Sequence, residues 1–553
     1  MTLVEHEPSD MMARLARHAE TRPNDLALRF PPGKIYTWAA LWIQVRRVAR
    51  TLLDGGLHAG DRVNILSDVP HDQVLGFLGA VAAGAVPAIL SHPSIKQSDE
   101  RFLVTLAGVL EHDEGRAWLL CSSEFQERAS RWSETKGLRI RTLTVPYAAL
   151  PEPLAELGPP LETFFIQYSS GTTGMRKGVA VTYRMFRAQA RAYLERVGLS
   201  QTDVVVSWLP LYHDMGLIAC LLLSLWVGAP SIHISPFAWL RDPSSLLDLV
   251  AEHEATFTFL PNFALRLLCE RVPTSHATRV GSLRVIVNAG EPVRPSAHDA
   301  FLRRFAAHGA RPEMLQCLYG LAESVFGVTQ TRPGMAPRRD RVERLTFQMF
   351  QRAVPSSNDD EQVLEFMSSG PALPNHHVRV VRDGEVVADR EVGELEVKSD
   401  SLFDGYVSAR ATFTAEGWFP TGDLGYTLGE DVFVTGRIKD LIIHRGSNLH
   451  PEDLEEAITW VPGCKHGRVV VFAIYDEDAG TDRVIAMLEA ESDEADLDSL
   501  AAEARARVHD GFGVVLADLV VVSAGTLLKS TSGKLSRSAN REIYRERFAS
   551  RTR

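Results

Sequence analysis

Helix-like and strand-like hydrophobic periods alternate through most of the first 330 positions of the chain. Apolar residues at helical spacing over 38–55 predict an amphipathic helix. The turn Gly60-Asp61 opens a predicted strand at 62–66, and a small-residue helix over 74–83 leads into an apolar strand at 86–90. Thr182 is placed to cap a helix over 183–197, and 204–207 and 283–287 read as further buried strands. This rhythm predicts an α/β fold, a large N-terminal domain of largely parallel sheets. The longest apolar stretch, 217–230, is short for a membrane span and reads as a core helix. From about 366 to 434 the texture changes to short strands, such as 377–381 and 393–397, between glycine, asparagine and aspartate turns, which predicts a small β-subdomain. A compact α+β unit follows Arg437, with helices at 451–461 and 496–509 and strands at 468–474 and 484–488. It is expected to act as a mobile lid.

Composition narrows the class. The 553 residues are too many for one core, and 45% hydrophobic content fills two or more. A net charge of −11, from 59 basic and 70 acidic residues without long runs of either sign, argues against nucleic acid as a partner. Cys121, Cys220, Cys269, Cys317 and Cys464 are scattered and odd in number, which disfavours a disulfide framework or zinc site and fits a reducing cytoplasm. The acidic N-terminus does not resemble a signal peptide.

The richest candidate chemistry is Tyr168-Ser169-Ser170-Gly171-Thr172-Thr173-Gly174-Met175-Arg176-Lys177-Gly178-Val179. Glycines let backbone amides curl around an anion, hydroxyls donate further hydrogen bonds, and the two cations at the exit add charge. Phosphate binding is the reading these residues favour, with a flexible surface loop as the alternative. Lys177 is followed by Gly178 rather than Ser or Thr, so this is not a Walker A loop. Four further constellations accompany it: Trp208-Leu209-Pro210-Leu211-Tyr212-His213-Asp214-Met215-Gly216; Leu318-Tyr319-Gly320-Leu321-Ala322-Glu323; Pro420-Thr421-Gly422-Asp423 with Thr435-Gly436-Arg437-Ile438-Lys439-Asp440; and Lys529-Ser530-Thr531-Ser532-Gly533-Lys534. A flat aromatic can stack on a purine and a nearby carboxylate can hold Mg2+ against phosphates. A carboxylate can also take hydrogen bonds from both ribose hydroxyls, and a lysine can bridge two anions brought together in a reaction. Taken singly, each has a bland reading: a histidine satisfied by backbone, a buried tyrosine, a turn aspartate in a surface salt bridge, a solvated lysine.

Together and in this order, the motifs resemble the adenylate-forming superfamily of acyl-CoA synthetases, luciferases and peptide-synthetase adenylation domains. The resemblance implies ATP contacts from Ser169, Ser170, Gly171, Thr172, Thr173, Gly174 and Lys177 in the loop, from Gly290, Glu291 and Pro292, and from Tyr319, Gly320, Asp423 and Arg437. It implies catalytic roles for Lys534 and His213, a metal ligand in Glu323, and an acyl pocket at Met215, Phe237 and Trp239. It also implies a hinge at Lys439 between an N-terminal domain, 1–438, and a lid, 439–553. Leu528, Arg176 and Tyr183 stand where members often carry proline, proline and histidine, and none of these changes removes a catalytic group.

The implied chemistry is ATP- and Mg2+-dependent conversion of a carboxylic acid to acyl-AMP with release of pyrophosphate. Thr172, Thr173 and Lys177 would hold the departing phosphates. The acyl group would then pass to a thiol, either the pantetheine arm of a carrier protein or CoA. Ser207 to Ile218, Ser235-Pro236-Phe237-Ala238-Trp239-Leu240 and Glu291-Pro292-Val293-Arg294 look most like fatty acyl-AMP ligases, which serve carrier proteins. Those enzymes carry a segment that restrains the lid, and 338–361 is the corresponding stretch here, though its polar composition also suits a disordered loop. An ordinary acyl-CoA synthetase is the alternative enzyme, and an ATP-binding protein that has lost catalysis the alternative class.

Overall fold

The computed structural model describes residues 10–91, 106, 109–110, 117–136, 141–168, 177–276, 278–356, 363–407, 410–444, 447–476, 481–492, 496–529 and 534–548. Its centre is an eight-stranded sheet ordered Gly327–Gln330, Leu315–Gly320, Val285–Ala289, Phe257–Phe259, Val205–Ser207, Ser231–His233, Leu26–Phe30 and Lys34–Thr37. The inner strands all pair parallel, and an antiparallel strand closes each edge. A four-stranded sheet, Val86–Ile89, Arg62–Leu66, Ala117–Cys121 and Arg141–Leu143, is parallel throughout. Parallel strands need crossover helices, and the alternation of periods in the sequence reflects that connection rule.

The local signals act as capping physics says they should. Thr182 accepts from the Met185 N–H at the start of Tyr183–Val197, and Gly198 ends it in the left-handed region. Asp496 caps Leu497–Phe512 in the same way, through the Ser499 N–H. The 217–230 stretch is buried, but the element starts earlier, at Met215, and ends at Val227. Its first part, Met215–Leu222, is wound as a π-helix.

A five-stranded antiparallel sheet spans His376–Arg382, Glu385–Val386, Gly393–Ser399, Phe419–Leu428 and Asp431–Arg437. Beyond it, Cys464–Asp476, Thr481–Ala490 and Asp518–Val522 form a three-stranded sheet that, with Pro451–Thr459 and Leu497–Phe512, encloses a separate core around Leu454, Val471, Leu488 and Leu500. Among the described residues no helix is long and apolar enough to cross a membrane.

Candidate active site

A cleft of about 2570 Å³ opens between the C-terminal ends of the parallel strands and the C-terminal unit. His213, Gly290, Glu291, Pro292, Tyr319, Gly320, Glu323, Asp423, Arg437, Lys439 and Lys534 all line it. Open parallel sheets present ligand sites at this end because strand ends and loops converge there.

Tyr319 leaves the strand Leu315–Gly320 and donates its phenol to Asp423 Oδ2 at 2.8 Å. Burial and the adjacent carboxylate push that phenol far above its ordinary value, so it stays a donor. Asp423 and Arg437 are cross-strand partners, with Arg437 Nε 2.9 Å from Asp423 Oδ1. Each carboxylate oxygen has a second lone pair, so Asp423 can still accept from two hydroxyls while its orientation is fixed from both sides.

Glu323 sits on the tight turn Ala322–Ser324. A Cβ on Gly320 would lie 2.2 Å from the Phe326 carbonyl oxygen, so only glycine fits there. Val325, buried and β-branched, is held at φ 68° to close the turn, a strained conformation of the kind that concentrates at functional sites. Glu323 accepts a 2.6 Å hydrogen bond from Tyr406, and Lys177 Nζ lies 4.7 Å from the centre of the Tyr406 ring. Tyr406 thus joins Lys177, at the exit of the glycine-rich segment, to Glu323. Sequence reasoning missed it, because an isolated tyrosine after a strand carries no motif signal. Ser169, Ser170, Gly171, Thr172, Thr173 and Gly174 lie outside the described residues. The strands on either side, Thr163–Tyr168 and Gly178–Thr182, pair antiparallel up to Tyr168 and Gly178.

On the facing side, His213 Nδ1 is 2.6 Å from Asp214 Oδ1, and the Met215 N–H donates to the same carboxylate at 2.7 Å. Burial alone would raise the Asp214 carboxyl, but His213, that N–H and Lys534 hold it below the usual carboxylate range. Lys534 reaches across from the C-terminal unit and donates to the Gly290 carbonyl. Burial pulls its ammonium below the ordinary lysine value while Glu291, Asp214 and Asp423 act to keep it charged and Arg437 opposes them. Gly290 has φ +88°, and a Cβ there would sit 3.2 Å from Met215 Cε and 3.5 Å from Lys534 Nζ. Glycine suits this position for its left-handed backbone and for the close approach of Met215.

Of the three residues expected at an acyl pocket, Met215 and Phe237 line the cleft and Trp239 does not. Trp239 is fully buried, stacked on Trp208 at 3.9 Å between ring centres. Phe237 and Trp239 are two positions apart on the helix Pro236–Arg241, which puts them on opposite sides. Leu240, three positions from Phe237, shares its side and lines the cleft with Phe263 and Leu267.

The sequence matches the AMP-binding enzyme family over residues 15–407. The chain belongs to that family. It is 30% identical to FadD30 of Mycobacterium tuberculosis, named a probable long-chain-fatty-acid–AMP ligase, over 97% of this chain and 98% of that one. To the long-chain-fatty-acid–AMP ligase FadD26 of Mycobacterium marinum it is 31% identical, covering 96% of each. A solved structure from studies of fatty acyl-adenylate ligases of E. coli and L. pneumophila superimposes with a TM-score of 0.87 at 26% identity, over 99% of both chains. The chain is therefore an acid-activating ligase that uses ATP.

In this AMP-binding enzyme the segment 338–356 is not a disordered loop; 357–361 lies outside the described residues. Strand Arg339–Glu343 pairs antiparallel with Val363–Met367, and helix Arg344–Phe350 follows. Phe347 is buried, 4.9 Å from the Phe366 ring and 5.7 Å from the ring of His450 in the C-terminal unit. The Arg344 guanidinium lies 5.1 Å from the Phe512 ring, and Ser447 donates to Met349 Sδ at 3.1 Å. The segment therefore bridges the five-stranded sheet and the C-terminal unit.

Proposed function

We propose that the protein joins a hydrophobic carboxylic acid to AMP and hands the acyl group to the pantetheine thiol of a carrier protein. A carboxylate oxygen attacks the α-phosphorus of ATP, the α–β phosphoanhydride bond breaks, and pyrophosphate leaves. The thiol sulfur then attacks the acyl carbon and AMP leaves with the bonding pair. The observation that carries this reading is the meeting of Lys534 with Gly290 beside Asp214, in the same cleft as Asp423, Arg437 and Glu323. An ammonium at that point stabilises charge that builds between carboxylate and phosphate.

Asp423 and Arg437 would take the ribose, Tyr319 and Gly320 the adenine, and Lys177 with the loop 169–174 the phosphates. His213, oriented by Asp214, would border the substrate carboxylate, and Phe237 and Met215 the acyl chain. A single hard carboxylate, presented by a fixed turn, suits Mg2+ shared with phosphate oxygens, and Glu323 would hold it. Bound there, Mg2+ would neutralise charge on the leaving pyrophosphate. The lid, 439–553 with its hinge at Lys439, would rotate between the two half-reactions. The contacts from Phe347 and Met349 to the C-terminal unit support a restrained lid, and hence a carrier protein rather than free CoA.

Pyrophosphate release with a panel of carboxylic acids tests the first half-reaction, and mass spectrometry with a pantetheinylated carrier protein or CoA tests the second. Brisk acyl-CoA formation by the intact protein would make it an acyl-CoA synthetase. Absence of pyrophosphate with every acid would leave an ATP-binding protein without catalysis.

A further inference from the structure

Helix Pro451–Thr459 carries four carboxylates in two stripes, Asp453 with Glu456 and Glu452 with Glu455, each pair three residues apart and so on one side of the helix. The stripes face different arginines. Arg294, from the body, lies 2.9 Å from Asp453 Oδ1 through Nη1 and 3.2 Å from Glu456 Oε2 through Nε. Ser296 adds a 2.7 Å hydrogen bond to Glu456. Arg537 lies 2.9 Å from Glu452 and 2.8 Å from Glu455, and 3.4 Å from Asp440.

Both arginines adjoin the Lys534 contact. Arg294 is four residues past Gly290, whose carbonyl receives the lysine, and Asn262 braces the intervening loop by donating to the Pro292 carbonyl at 2.8 Å and accepting from the Arg294 N–H at 3.1 Å. Arg537 is three residues past Lys534, at the first position of helix Arg537–Arg547. A cation at a helix N-terminus opposes the helix dipole, so local helix stability does not account for Arg537 there. Its use is as a partner for Glu452 and Glu455. Burial works against the charge on each arginine, and the carboxylates more than offset it.

We infer that helix Pro451–Thr459 is a two-sided charged clamp, with Arg294 and Arg537 as positioning residues that set the catalytic ammonium of Lys534 against Gly290. The inference rests on the adenylating role proposed for Lys534. Ion pairs this enclosed contribute little net stability compared with apolar packing, but Arg294, held by two carboxylates at once, fixes one arrangement of lid on body, and Arg537 fixes the helix within the lid.

The test uses the full-length protein. Arg294→Ala should lower kcat for pyrophosphate release on the order of tenfold to a hundredfold, the scale of a misplaced catalytic group, with KM for ATP and acid nearly unchanged. Thiolysis of pre-made acyl-adenylate should keep its rate. The swap Arg294→Glu with Asp453→Arg should recover part of kcat, which a residue acting through general stability would not do. Arg294→Lys, the variant least prone to misfold, should fall between wild type and Arg294→Ala. If the wild-type protein releases pyrophosphate and Arg294→Ala leaves kcat intact, the clamp is wrong while the adenylation reading stands. Equal losses in both half-reactions, or a swap no better than Arg294→Glu alone, would also overturn it. A wild-type protein that releases none would remove the reading on which the clamp rests.

Discussion

At the scale of single residues, the site depends on two side chains meeting where a third is absent. On the proposed mechanism, Lys534→Ala removes the ammonium that acts on charge developing between carboxylate and phosphate. It should cost about 3 kcal/mol of barrier, roughly a hundredfold or more in pyrophosphate release, while thiolysis of pre-made acyl-adenylate is largely spared. Undiminished pyrophosphate release in this variant would refute the role of the lysine. Gly290→Ala approaches the same contact from the other side. At φ +88° a Cβ is strained, and it would crowd Met215 Cε while only touching Lys534 Nζ. We expect an adenylation defect in the same direction as Lys534→Ala but smaller, because the strained backbone shifts the carbonyl that receives the ammonium while the ammonium itself is kept. ATP binding, followed by calorimetry, should change little. A Gly290→Ala enzyme of wild-type rate would mean that the lysine works elsewhere than at this carbonyl.

At the scale of elements, what the sequence made legible was what chain neighbours decide. Tyr183–Val197 is bounded by Thr182 and Gly198, and strand Arg62–Leu66 by its turn, so both could be read from local chemistry. The π-winding of Met215–Leu222 could not, because a segment buried on every side has no polar face to report its period. Trp239 was misread because a motif lists neighbours in sequence, whereas a helix separates them by side. The Arg294–Asp453 pair spans 159 positions and leaves no local trace. The segment 338–356 lies between these cases: its place in the motif order was legible, its packing was not. Phe347 both fills the core with Phe366 and touches His450, so Phe347→Ala should loosen the proposed lid as well as remove about 3–5 kcal/mol of packing. Acyl-CoA should rise relative to acyl-AMP when CoA is the acceptor. Phe366→Ala opens the same core, but its ring partners are Phe347 and Tyr426 rather than His450, so it should leave that ratio alone. Equal ratios in the two variants would reduce the segment to a structural support.

At the scale of the whole molecule, burial of histidines couples stability to pH. His298 and His18 are pulled down to about 4 and His233 to about 3, by burial first in each case. Arg22 and Arg14 add to the effect at His18, and Arg339 at His298. His450 in the C-terminal unit is lowered too, again chiefly by burial. These groups stay neutral in the folded chain, while the unfolded chain protonates them near the ordinary value of about 6.5. Below that pH the unfolded state therefore binds more protons. The stability these histidines contribute is complete above it and drains away as pH falls toward about 4, at about 1.4 kcal/mol per pH unit for each group. Two carboxyls of the clamp oppose the trend. Glu455 is pushed up to about 7 and Asp453 is raised, both mainly by burial, so acid relieves them over part of the same range. His18, His233 and His298 are spread through the body and the opposing pair is confined to one helix, so the histidines should prevail. Calorimetry from neutrality to about pH 5 should then record a falling Tm, and His298→Gln, which removes one titrating group, should make the fall shallower. A Tm that holds constant over this range, or a slope indifferent to His298, would show that the buried histidines are not what acid acts upon.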